Sequence, residues 1–138
     1  MNKNKDDFIQ FFHACHPTSE RNLSFKALLG RWKEQAKMLE KHFENRDAEQ
    51  AFDPMCKGIL TFFYALYIAN DASIESIDIY NWRVAVRDFD VRPLNMIDRL
   101  AFIIEHPAKY HSFIQLKELF KELNKKYAAH NIKVKNES

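Results

Sequence analysis

The chain is poor in turn-forming residues, with two glycines and four prolines in 138 positions. A β-sandwich or barrel needs a turn roughly every eight to twelve residues, and glycine and proline normally supply it. Their scarcity excludes an all-β domain and calls for helices joined by short polar connections. Cysteine is equally scarce. Cys15 and Cys56 stand far apart with no CxxC spacing, which excludes the disulfide-dense framework of small secreted domains. No apolar run has membrane-spanning length; the longest, Ile59 to Ala69, is about half of one. The N-terminal residues Met1 to Asp7 lead into no apolar stretch of signal-peptide length. The expectation is a cytoplasmic protein without membrane attachment. A one-signed charge excess is missing as well, since 21 basic residues face 19 acidic ones for a net charge of +2. That balance neither demands nor excludes a polyanionic partner.

Aromatic residues are abundant, at 14% with twelve phenylalanines, a composition opposite to that of a disordered chain. Folding at this length buries roughly two-thirds of the unfolded surface, enough for one core. No internal repeat or low-complexity linker divides the sequence. It therefore reads as a compact, all-α, single-domain bundle of about five helices. The expected parts are a flexible or short helical segment over 1–20, a helical domain over 21–130 and a frayed basic tail over 131–138. In the leader, residues 1–7 are expected to be mobile, with a short helix from Phe8 to His13 stopped before Pro17.

The first long helix is expected from about Ser24 to Glu44, with Ser24 as N-cap and Leu23 and Leu28 as a hydrophobic staple. Phe25, Leu28 or Leu29, Trp32, Ala36, Leu39 and Phe43 form its apolar stripe, with Lys33, Glu34, Lys37, Glu40 and Lys41 outside. Gly30 weakens that helix unless a neighbour needs close approach there. A second helix is expected to open at Asp53-Pro54, after a separate helical lead-in over Arg46 to Phe52. Nearly every residue from Ile59 to Ala69 is apolar, which places this helix, near 55–69, at the centre of the fold. Beyond a polar loop from Asn70, a shorter helix is expected around Ile79 to Asp88, carrying Trp82 and Val86, with Phe89 just past it. The alternating segment Ile74 to Ile79 resembles a strand, but no second strand exists to pair with it. Asn95 with Asp98 suggests a variant capping box for the next helix, which ends before Pro107. Ser112 with Gln115 suggests another for the last, whose inner stripe runs from Phe113 to Tyr127.

Candidate chemistry is thin. His13-Ala14-Cys15-His16 offers zinc-type ligands, but three within four residues are crowded for one ion and no paired spacing follows downstream. No metal is expected there. Cys56 lies near a helix start, yet it shares a stripe with Leu60, Phe63 and Tyr67 and reads as an inert core residue. The junction Glu105 to Phe113 gathers His106, Lys109, Tyr110, His111 and Ser112 without a recognisable nucleophile–base pair, so no catalytic residue is assigned. No cofactor motif occurs, with neither a Gly-rich phosphate loop nor HExxH. Arg83, Arg87, Arg92 and Arg99 accompany Trp82 and Phe89, but Asp78, Asp88, Asp90 and Asp98 are interleaved with them. Ion pairing competes with phosphate binding for such arginines.

Several short motifs together resemble the YpoC-like family, small uncharacterised proteins of Gram-positive bacteria. They are Arg92-Pro93-Leu94-Asn95, Asp98-Arg99-Leu100, Phe102-Ile103, His106-Pro107, Tyr110-His111-Ser112-Phe113, Gln115-Leu116 and Leu119-Phe120. Trp32, Pro54-Met55 with Gly58, and Asn81-Trp82 fit as well. The resemblance covers about residues 24–127 and leaves out the first twenty. It implies no activity, since the shared residues are mostly caps, prolines and core aromatics.

The functional expectation is a non-catalytic module that binds an as yet unknown protein partner. Its first candidate surface is the corner of Trp82, Arg83, Arg87, Tyr110 and His111, because exposed aromatics and arginines commonly anchor interfaces. The competing reading sends Trp82 and Tyr110 into the core. A nucleic-acid-associated accessory protein is the alternative, using the four arginines and the tail lysines Lys125, Lys126, Lys133 and Lys135. An enzyme of unknown chemistry comes third.

Overall fold

The structure is a computed structural model, and it describes residues 3–16 and 23–137. Among these residues the order is α1 (Lys5–Cys15), α2 (Phe25–Glu44), α3 (Ala48–Ala69), a 3-10 turn (Ile74–Ser76), α4 (Trp82–Val86), α5 (Met96–Glu105) and α6 (Tyr110–Glu137). The all-helical bundle expected from the sequence is observed, with six α-helices and no strand among the described residues. Met1, Asn2, Pro17 and Ser138 fall outside them.

The centre is α3. From Gly58 to Tyr67 every residue is buried, as an apolar run on all sides of a helix requires. α2 packs most extensively on it, α6 flanks both, and α1 lies across α3 and α5. Ring contacts set α2 and α6 antiparallel: Phe25 meets Tyr127 at 4.0 Å, Trp32 stacks on Phe120 at 4.5 Å, and Phe43 stacks on Phe113 at 5.3 Å.

Several helix starts differ from the sequence expectation. α1 begins earlier, at Lys5, because Asn4 and Asp7 close a reciprocal capping box. α3 is continuous from Ala48, capped by Asp47, whose carboxylate accepts from the Gln50 N–H at 3.1 Å. Pro54 is thus inside the helix rather than at its start. An interior proline costs about 3 kcal/mol, and burial of Ala51, Phe52, Met55 and Cys56 on either side opposes the break. The carbonyl that loses its donor belongs to Gln50, an exposed residue that water can solvate.

The helix expected over Ile79 to Asp88 shrinks to Trp82–Val86. Asp78 causes this by holding the preceding turn: its carboxylate accepts from the N–H groups of Tyr80 at 3.0 Å and Asn81 at 3.4 Å. At α5, Asn95 adopts a left-handed backbone (φ 54°) and makes no side-chain cap, so the expected box with Asp98 is absent. Asparagine tolerates that conformation better than most residues. α6 starts at Tyr110, and Phe113 N–H donates to the Lys109 carbonyl. The Ser112–Gln115 box does not form because both side chains are engaged elsewhere. The Ser112 hydroxyl donates to the His106 carbonyl at 2.6 Å, closing the end of α5, while Gln115 accepts from Arg99. α6 continues through Glu137, with residues 131–136 exposed.

Candidate functional site

Between α2 and α6 runs an open groove of 530 Å³. Leu29, Trp32 and Ala36 of α2 and Phe120 of α6 form its floor. Its rims carry Lys33 and Lys37 on one side, Lys117 and Lys121 on the other, with Glu40 and Asn124 towards the ends. The spacing explains the arrangement, because Leu29, Lys33, Ala36 and Glu40 recur at helical steps on one face, as do Lys117 and Lys121. Two of the lysines are tied, Lys117 to Glu40 at 3.0 Å and Lys37 to Glu34 at 3.3 Å. Neither Lys33 nor Lys121 is ion-paired among the described residues. From the sequence, Lys33 and Lys37 were expected only to lie outside the apolar stripe of α2. The available signal was that both helices carry lysines beside an apolar stripe, and only their juxtaposition turns two stripes into one groove.

The five residues of the expected corner do not share one cleft. Trp82 is buried, 6% exposed, with its indole edge-on to Phe63 at 5.6 Å. Arg83 is exposed and lies over that indole at 5.6 Å. Both line a cleft of 460 Å³ together with Lys5, Asp6, Tyr80 and Glu105. Tyr110, at 59% exposed, packs instead on Phe43 at the end of α2. His111 meets Phe102 edge-on at 5.3 Å, and Arg87 is exposed.

The arginines also part company. Arg99 grips Glu122 through both terminal nitrogens, at 3.0 and 2.6 Å, and donates further to Gln115 and the Leu94 carbonyl. Hydrogen bonding from the guanidinium holds the Glu122 carboxyl below the usual carboxylate range. Arg99 is therefore a strut between α5 and α6. Arg92 donates to the Val86 carbonyl at 3.4 Å.

The His13–Cys15–His16 cluster disperses. His13 hydrogen-bonds the Tyr80 hydroxyl at 3.1 Å, His16 the Tyr64 hydroxyl at 3.0 Å, and Cys15 is exposed. Among the described residues no group of three His, Cys, Asp or Glu side chains is placed to hold a metal ion. Cys56 is fully buried, and burial, aided by the Asp53 carboxylate, pushes its thiol well above the usual range. That keeps it protonated and a poor nucleophile.

The matching family model, described as YpoC-like protein, covers residues 22–135. The chain belongs to the YpoC-like family. It is 33% identical over 92 residues to Uncharacterized protein YpoC of Bacillus subtilis (strain 168), an alignment covering 64% of this chain and 55% of that protein. The chain thus aligns with little more than half of that relative's length. No solved structure matches it. The span shared with the YpoC-like family contains the groove and the Arg99–Glu122 bridge, while α1 precedes it. Among the described residues no helix is long and apolar enough to cross a membrane.

Two further residues escaped sequence reasoning. Asn70 ends α3 and pairs with Val91 as a strand neighbour would: its amide donates to the Val91 carbonyl and accepts from the Val91 N–H, both at 2.8 Å. This pins the loop before α5 to the end of the central helix. The Tyr67 hydroxyl is buried beside Phe89 and has no hydrogen-bond partner among the described residues. Burial, with a contribution from Asp78, pushes that phenol upward.

Proposed function

We propose that this chain is a cytoplasmic, non-catalytic helical module that binds another protein. The observation that supports it is the α2–α6 groove, where Leu29 and Ala36 remain partly exposed between charged rims over the stacked Trp32 and Phe120. Apolar surface rimmed by polar groups is a usual mark of an interaction site. Arg83 and Tyr110 supply further exposed anchors of the type found at interfaces.

The test is capture of partners by the tagged chain from native cell extract, with and without nuclease, read by mass spectrometry and nucleic-acid quantitation. A stoichiometric protein partner that survives nuclease supports the module. The second reading, nucleic-acid association, draws on the exposed Lys125, Lys126, Lys133 and Lys135 along the end of α6 together with Arg83 and Arg87. Recovery of nucleic acid, with binding that falls steeply as salt rises, would favour it. An empty result from folded protein would sink both and bring enzymatic screening forward.

A further inference from the structure

Resting on that reading, we infer that the α2–α6 groove receives one acidic amphipathic helix of the partner protein. From Leu29 to Glu40 the groove extends about 16 Å at the helical rise, the length of about three turns. Its rim holds four lysines against one glutamate, and that glutamate is already engaged by Lys117. Lys33 and Lys121 stand on opposite rims and are not ion-paired among the described residues. Carboxylates flanking an apolar stripe would meet them, while the stripe covers Leu29 and Ala36, the partly exposed residues of the floor.

The geometry also sorts the other occupants. A second copy docked isologously through this groove would set lysines against lysines, which is unfavourable. A single-stranded nucleic acid needs open aromatic faces for stacking. Here Trp32 and Phe120 stack on each other at 4.5 Å and are only 6% and 2% exposed, so their faces are occupied. An extended peptide adds to a sheet edge, and the described residues form no strand. Two antiparallel helices side by side suit a third helix laid along them. The cleft at Trp82 makes no comparable selection, since Lys5, Asp6, Arg83 and Glu105 line it with both signs.

The test uses the full chain and a fluorescein-labelled synthetic helix of about four turns, with leucines at i, i+3, i+7 and i+10 flanked by glutamates, read by anisotropy. A second peptide keeps the leucines and carries lysine for every glutamate. The acidic peptide is expected to bind about tenfold tighter than the basic one at about 0.15 M salt. Combined Lys33→Glu and Lys121→Glu changes should abolish that preference with helicity unchanged, since both side chains are exposed. Ala36→Arg, which projects into the floor, should weaken the acidic peptide by a similar factor. Equal binding of the two peptides, binding of neither, or an unchanged preference in the double variant overturns the inference. So does displacement of the acidic peptide by a polyuridine strand. Failure here is separable from failure of the wider reading. A nuclease-resistant partner captured equally by the wild-type chain and the double variant keeps the module and removes this groove from it.

Discussion

Around Gly58 three helices meet: Trp32 of α2 lies over the glycine, Leu116 of α6 approaches from the side, and the indole stacks on Phe120. α1 is attached differently. Phe8 and Phe12, one helical turn apart, supply its buried anchors. Two histidine–tyrosine hydrogen bonds and an exposed Lys5–Glu105 contact at 3.8 Å complete the attachment. The first region depends on close approach of backbones and rings, so it tolerates no added volume. The second depends on a few deep anchors and a titratable edge, so it responds to truncation and to pH.

The largest test of that contrast is Phe8→Ala. Its ring is fully buried, and removing such a ring costs about 3–5 kcal/mol. Urea unfolding followed by tryptophan fluorescence should show this loss in the whole transition. If hydrogen exchange instead accelerates in α1 alone, α1 is a separately opening element. Gly58→Ala comes next, because a Cβ there would sit 2.6 Å from a ring carbon of Trp32 and 3.2 Å from Leu116. Overpacking of this kind costs about 1–3 kcal/mol, and an unchanged denaturation midpoint would show the junction to be looser than described. Gly30→Ala has the opposite sign. Nothing lies within 4 Å of a Cβ at that exposed position, so the change should stabilise by up to about 1 kcal/mol. Measured together, the two alanine variants separate helix propensity from interhelical space.

The smallest effect concerns His16. Burial, opposed by the Glu75 carboxylate and reinforced by His13, lowers its pKa from the ordinary value of 6.5. A base depressed in the folded state contributes stability that is present above its unfolded pKa and lost as pH falls through the folded one. Exchange protection of the α1 amides should therefore decline as pH drops below about 6.5. The decline should be reduced in His16→Asn, and an equal decline in that variant would assign the effect to another group.

The helical class, the central position of Ile59 to Ala69 and the Ser24 start of α2 were legible in the sequence. They follow from local chemistry: a dearth of turn formers, an apolar run on every side of a helix, and a capping hydroxyl. Membership of the YpoC-like family was legible too, in motifs that stay contiguous along the chain. The proline start assigned to α3 and the boxes at Asn95 and Ser112 were misplaced, because motif spacing cannot show what else competes for a side chain. Burial around Pro54 carries the helix through it, and the Ser112 hydroxyl serves the end of the preceding helix. Only the tertiary structure could assign Arg99 to Glu122, send His13 and His16 to two different tyrosines, and join the lysines of α2 and α6 across one apolar floor. Each of those depends on which faces of distant segments the core brings together, a quantity that local periodicity does not contain.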